Sequence, residues 1–345
     1  MFSHLVGNEN IKHTLKRLIR NHRVPNSLLL AGDEGIGKRQ FALELAKSLI
    51  CLEAADGESC GVCSACTRAG KFIFPKSEDK ESHKRLIFSD HPDVAMVIPF
   101  NRNILVAAVR HLESEANFRP YEASARFLMV DNAEKMNDAA SNALLKTLEE
   151  PPSTSHIFLI TSRPDSLLPT IRSRCQTLRF APVNDDEIEK YLISERAFTA
   201  DEARLAARLS RGSIGQALTI NVEQFRIRRE RMSSVVSNLI QNGGVAGLLR
   251  ASEELQEAKN KESFEENLDV LQSLIHDIWT IKTSGTAERI VNTDLSAKLS
   301  SLAEGVASRD LPAWLGAIDE MRENFIVNIN RKVATDALFV SMAAQ

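Results

Sequence analysis

Four of the five cysteines, Cys51, Cys60, Cys63 and Cys66, fall within sixteen consecutive residues. The spacing Cys-x8-Cys-x2-Cys-x2-Cys lets four thiolates converge from a tight knuckle on one tetrahedral Zn²⁺, and Gly57, Gly61 and Ala65 keep that turn uncluttered. Inert buried cysteines would recur at helical or strand spacing among apolar neighbours. These four stand instead among Glu, Ser, Gly and Thr. Four thiolates leave no open position for water, so the expected role is structural. The fifth, Cys175, lies between Arg174 and Gln176 ahead of a strand and reads as simple packing.

Upstream runs Gly32-Asp33-Glu34-Gly35-Ile36-Gly37-Lys38-Arg39. A phosphate loop needs glycines so that backbone N–H groups can turn towards phosphates, a Lys to reach the terminal ones, and a Ser or Thr hydroxyl for Mg²⁺. Gly32, Gly35, Gly37 and Lys38 meet the first two demands. Arg39 stands where the hydroxyl is needed, and a guanidinium cannot ligate a cation. Two readings follow: a loop that still holds ATP or ADP, and one that only shapes a turn. Further on, residues 127–130 form an apolar run ending in Asp131-Asn132-Ala133-Glu134. Asp131 is placed to hold a metal, or more simply to form a turn or cap a helix. Asn132 occupies the place of a water-activating acid, and an amide cannot take up that proton.

Ser173-Arg174-Cys175 follows a short helical stretch, Pro169-Thr170-Ile171-Arg172. Arg174 is either a surface cation paired with a nearby acid or a finger offered to a neighbouring subunit's nucleotide, where a permanent planar cation stabilises phosphoryl transfer. Spacing does not decide between them. The basic run 225–231 reads as a solvated helix face with local DNA contact as its alternative. The eight histidines show no metal-ligand spacing.

These residues need elements to position them. Residues 8–22 carry Ile11, Leu15, Leu18 and Ile19 at helical spacing between basic positions, predicting an amphipathic helix with a cationic face. A strand over 27–31, the glycine loop and a helix with Phe41, Ala42, Leu45, Ala46 and Leu49 inward form a strand, loop, helix unit that delivers Cys51. Residues 71–90 are dense in Lys, Glu, Ser and Asp and predict an exposed, chemically idle loop. Strands are expected at 94–98, 127–130, 157–161 and 176–180, with helices at 106–117 and 138–148 between them. That alternation predicts an α/β fold with a parallel sheet covered by helices on both faces. Beyond Pro182 the pattern is helical: short helices at 185–195, 200–209 and 214–220, then a wholly helical region broken at Gly243-Gly244, Ser284-Gly285 and Pro312. No internal repeat is present.

At 345 residues the chain exceeds one compact core. With 43 Lys and Arg against 46 Asp and Glu, its formal charge of −3 argues against a protein that coats nucleic acid through a global positive field. No apolar run is long enough to span a bilayer and no signal-peptide core precedes the fold, which predicts a soluble, cytoplasmic protein without membrane partners.

Gly32-x4-Gly37-Lys38, the four cysteines, His91-Pro92-Asp93, Asp131-Asn132-Ala133-Glu134-Lys135-Met136, Asn142-Ala143-Leu144-Leu145-Lys146-Thr147-Leu148-Glu149-Glu150-Pro151-Pro152 and Ser173-Arg174-Cys175 together resemble the bacterial clamp-loader family of AAA+ proteins. The match is dense from residue 2 to about 218 and thereafter rests on the size and position of a helical collar. The resemblance implies an AAA+ P-loop sheet domain at 1–181 with its zinc module at 51–66, a helical lid at 182–221 and an all-helical collar for oligomerisation at 222–345. It implies Cys51, Cys60, Cys63 and Cys66 as zinc ligands, Arg174 as a trans-acting finger and Thr161 as the polar sensor. Hydrolysing members carry a Thr, a Glu and a lid Arg where this chain has Arg39, Asn132 and Gly215, so no independent ATPase is expected. The implied partners are tau/gamma-like and delta subunits in a hetero-pentameric ring, with the sliding clamp and primed DNA engaged during DNA replication. A hydrolysing motor subunit or other AAA+ ATPase is the rival reading, and it would need another Mg²⁺ ligand and base. A zinc-knuckle nucleic-acid binder is a further rival, disfavoured by the acidity.

Overall fold

A computed structural model of the chain describes residues 1–241, 261–286, 290–325 and 331–343. The chain divides into two compact units, Met1–Thr219 and Ile220–Gln345.

The first unit opens with helix α1 (Glu9–Arg20), strand β1 (Ser27–Ala31), helix α2 (Lys38–Ile50) and the short α3 (Ser64–Ala69). There follow β2 (Ile87–Phe88), β3 (Val94–Val97), α4 (Val106–Ala116), β4 (Arg126–Val130), α5 (Asp138–Glu149), β5 (Ser155–Thr161), α6 (Pro169–Arg172) and β6 (Gln176–Arg179). Helices α7 (Asp185–Arg196), α8 (Ala200–Leu209) and α9 (Ile214–Thr219) complete it. The six strands lie in the order β2-β3-β4-β5-β1-β6. All pairings are parallel except that of β2 with β3.

The middle residues of the sheet's central strands are apolar because helices cover both faces. Leu128 and Val130 of β4, with Ile157 and Leu159 of β5, pack among Leu112, Leu144 and Ile171. Alternate residues Phe127 and Phe158 point to the opposite face, their ring centroids 6.2 Å apart. Strand β1 lies between β5 and β6, so its carboxyl end opens at the point where chain order reverses, the usual crevice for a ligand in such sheets. Leu28 faces Phe158 and Gln176 in the two neighbours, which fixes the register of that crevice.

Residues 71–90 depart from the expected idle loop. They contain β2, buried Leu86 and His83, and a bridge from Phe72 to Ser89 beside the sheet edge. A two-residue strand is too short to show a period, and its supporting contacts come from β3 and from α4, where His111 Nδ1 accepts the Leu86 N–H at 3.0 Å.

A buried ionic cluster lies at the amino ends of β3 and β4. The Asp93 carboxylate, with 0% exposure, accepts the N–H groups of Tyr121, Glu122 and Ala123 at 2.7, 2.8 and 2.9 Å. Arg126, equally buried, donates to the Glu115 carbonyl at 2.8 Å, pairs with the Glu115 carboxylate at 2.8 Å and lies 5.4 Å over the Tyr121 ring. Each buried charge is therefore neutralised locally, which the fold requires.

The second unit is helical: α10 (Val222–Ile240), α11 (Lys261–Ser284), α12 (Ser296–Gly305), α13 (Asp310–Phe325) and α14 (Arg331–Ala343). Val236, Leu271, Leu274, Trp314 and Phe339 share one apolar core. Asp277 organises the connection after α11 by accepting the Val291 and Asn292 N–H groups at 2.9 and 2.8 Å. Of the expected breaks, Gly285 ends α11 with φ +68°, and Gly243-Gly244 lies outside the described residues. Pro312 is not a break. It sits in the first turn of α13, where the missing N–H has no helical partner to lose. Among the described residues no helix is long and apolar enough to cross a membrane.

Replacing Asp93 with Ala should leave the Tyr121, Glu122 and Ala123 N–H groups without their acceptor and take from buried Arg126 the second of its two nearby carboxylates, 3.9 Å away, costing about 3 kcal/mol of unfolding free energy. Urea unfolding of the variant beside the parent checks this.

Candidate nucleotide-binding face and cysteine knuckle

The glycine loop leaves β1 at Gly32, whose N–H donates to Thr161 O on β5 at 3.3 Å. Gly35 and Gly37 take φ of +74° and +100°, values that a Cβ would strain, and Gly37 forms the N-cap of α2. Lys38, the first helical residue, is buried. Its ammonium donates to the Gly32 and Asp33 carbonyls, both at 2.6 Å. Burial lowers the Lys38 pKa, while Glu134, Asp131, Glu34 and Asp33 favour its charged form. The loop thus satisfies its own lysine internally.

Arg39 turns across the crevice to Asp131 at the end of β4, with Nη1 3.3 Å from Oδ2. The guanidinium also lies 5.7 Å from the ring centroid of Phe74, which stacks on Phe72 at 5.6 Å. Burial raises the Asp131 carboxyl above its ordinary value, and Arg39 pulls it back. An internal cation therefore sits against the Asp131 carboxylate. Asn132, in the left-handed region at φ +53°, donates its N–H to Asp131 Oδ1 at 3.2 Å.

Glu134, whose role the sequence motif does not reveal, lies beside the loop. It accepts the Ser162 hydroxyl at 2.7 Å, directly after Thr161. Burial alone would raise the Glu134 carboxyl, yet bonds from Ser162 and Thr161 carry it below the usual range. Buried Thr161 also accepts the Arg163 N–H at 3.1 Å, so the β5 terminus is tied to the carboxylate beside the loop.

The start of α9 packs on the loop. Ser213 Oγ donates to Glu34 O at 2.9 Å, and the Gly215 N–H donates to Gly35 O at 2.8 Å. A Cβ at Gly215 would lie 2.9 Å from that same oxygen, so the position accepts glycine and excludes a side chain unless the backbone shifts.

The structure brings Cys51, Cys60, Cys63 and Cys66 together, all four sulfurs within 4.8 Å of one another. Cys51 and Cys63 lie 3.9 Å apart, far beyond a disulfide bond. Four sulfurs at bonds of ~2.3 Å around a tetrahedral ion would stand roughly 3.8 Å apart, so the cluster fits a metal ion. The Cys60 N–H points at Cys51 Sγ at 3.2 Å, and the Cys63 N–H at Cys60 Sγ at 3.3 Å. Such donors favour thiolate charge. At Cys63, against the opposing effect of burial, hydrogen bonds from the Cys66 and Leu52 backbone and from the Cys66 and Cys60 side chains bring the thiol down to about 6, whereas burial pushes the Cys66 thiol upward. Lys16 of α1 pairs with Glu58 at 2.5 Å and Arg20 with Asp56, anchoring the knuckle to the cationic face of that helix. Arg68 of α3 pairs with Glu122 in the turn ordered by Asp93. Cys175 is buried apart from the cluster, its thiol pushed up to about 12 by burial.

Arg174, just past α6, is 32% exposed at its side chain. Its Nη2 lies 2.6 Å from Glu149 Oε1 and its Nη1 donates to Thr170 O at 2.9 Å. Sequence reasoning passed over Phe74, Ser162 and Glu149. Glu149 lay in a quoted motif, and the other two left no periodic signal.

A family model described as DNA polymerase III, delta subunit, matches residues 7–184. The DNA polymerase III subunit delta' of Escherichia coli (strain K12) is 30% identical over 318 residues, covering 91% of this chain and 87% of that protein. The subunit of the same name from Bacillus subtilis (strain 168) is 29% identical over 313 residues, covering 90% and 89%. The DNA polymerase III subunit tau/gamma of Haemophilus influenzae is 26% identical over 247 residues, which cover 69% of this chain and 33% of that protein. With similarity to the delta-prime proteins running nearly end to end in both chains, this chain belongs to the DNA polymerase III delta-prime family.

Proposed function

We propose that the chain is the non-hydrolysing delta-prime member of a DNA polymerase III clamp loader and acts as a fixed scaffold that lends Arg174 to the ATP site of an adjacent motor subunit. The observation that carries this reading is the Arg39–Asp131 pair, 3.3 Å apart, because it sets a permanent cation against the carboxylate that a hydrolysing site would give to Mg²⁺. Asn132 supplies no base, and Gly215 leaves no lid cation. Three contributions to transition-state stabilisation are missing at once. ATP or ADP could enter only by parting the Ser213–Glu34 and Gly215–Gly35 bonds and drawing Lys38 off its carbonyls.

In this reading residues 1–181 form the AAA+ domain, 182–221 the lid and 222–345 a collar that holds the chain beside tau/gamma and delta subunits in a five-membered ring. That ring opens the sliding clamp and sets it on primed DNA in the cytoplasm. The polymerase active site belongs to another chain of the holoenzyme. Cys51, Cys60, Cys63 and Cys66 hold one structural Zn²⁺, which would fasten the knuckle to α1 and α2 and supply no catalytic chemistry.

Three outcomes follow. Arg174→Ala should lower ATP turnover of the reconstituted loader at least about tenfold, a floor well below the roughly 10³- to 10⁵-fold worth of an arginine finger at a single site, with assembly intact by size exclusion. Arg39→Thr should free Asp131 and strengthen Mg²⁺-dependent ATP binding by about tenfold, roughly one opened ion pair, in calorimetric titrations. Elemental analysis should find one zinc per chain. The metal should be lost as pH falls, because protons compete for the thiolates, and Cys66→Ser should abolish stoichiometric binding.

A further inference from the structure

Glu149 is the last residue of α5 and is followed by Glu150 and two prolines. Two carboxylates at the carbonyl end of a twelve-residue helix face the negative pole of its dipole, an arrangement that electrostatics disfavours. A violated local rule of this kind is expected where a side chain serves function. The cation that relieves it is Arg174, whose Nη2 reaches Glu149 Oε1 at 2.6 Å.

The geometry divides the guanidinium's donors. Nη1 gives one N–H to Thr170 O at 2.9 Å and Nη2 faces Glu149. A guanidinium has five N–H donors, so three remain for another acceptor. Thr170 is part of α6, a four-residue helix that begins at Pro169, while Glu149 ends a separate helix braced by Pro151 and Pro152. Two acceptors on two braced elements hold a long side chain whose freedom would otherwise have to be given up when a phosphate is engaged.

We infer that Glu149 is a positioning residue for the finger: it pre-orients Arg174 towards the neighbouring subunit's terminal phosphate. The inference rests on the reading of Arg174 as a trans-acting finger. Glu149 touches no nucleotide, and its whole effect passes through Arg174. The pair is half exposed, so its contribution is modest, and because it acts on orientation of the reacting phosphate it affects turnover rather than nucleotide affinity.

The test is a double-mutant cycle in the reconstituted loader, read as kcat and KM for ATP with primed DNA and clamp present. Glu149→Gln should lower kcat by roughly two- to fivefold, the range open to an exposed ion pair, with KM and assembly unchanged. Glu149→Asp, which keeps the charge, should recover part of that loss. In an Arg174→Ala background Glu149→Gln should change nothing further. If Arg174→Ala itself leaves turnover unchanged, the finger reading fails. If Arg174→Ala lowers turnover while Glu149→Gln is neutral, raises kcat, or has the same effect in both backgrounds, the finger stands and the positioning role is overturned.

Discussion

The pair between Arg39 and Asp131 is the constraint around which the nucleotide face is arranged. A carboxylate at the end of a buried strand needs a counter-charge, and in a hydrolysing site of this architecture the ion arrives with the nucleotide. Here the countercharge is covalently part of the chain and steadied by Phe74. Lys38 folds back on the loop's own carbonyls, and the α9 terminus bonds to the loop backbone. Polar groups that would otherwise wait for phosphate and metal are satisfied within the fold, so the face holds its shape without fuel. Such rigidity suits the proposed role, in which the chain lends Arg174 to a neighbour.

Much of this was legible in the sequence because the informative residues announce a chemical incapacity. Arg39 cannot ligate a metal and Asn132 cannot accept a proton, whatever surrounds them. The knuckle was equally plain, since cysteines at x2 spacing among polar neighbours have few other uses, and the fold gathers all four sulfurs. The parallel sheet followed from apolar runs alternating with helical patterns.

What the sequence withheld depends on contacts between distant segments. Residues 71–90 look like a solvated loop by composition, yet Phe74 reaches Arg39 and Ile87 pairs with Met96. Gly215 reads as the loss of an arginine. The structure gives it a positive reason, because a Cβ there would lie 2.9 Å from the Gly35 carbonyl. Pro312 looks like a helix break, but a proline is tolerated in a first turn and the pattern cannot show which turn it occupies. For Arg174, spacing left a choice between a paired surface cation and a finger. In the isolated chain it is paired, and the partner is a glutamate at the wrong end of a helix.

A structure of the assembled loader on primed DNA with a slowly hydrolysed ATP analogue tests the central claim most directly. The Arg174 guanidinium should then lie within hydrogen-bond distance of the adjacent subunit's terminal phosphate, with Arg39 still seated on Asp131. A Mg²⁺–nucleotide complex in this chain's own loop with Asp131 in its coordination shell, and Arg174 remote from any phosphate, would contradict it.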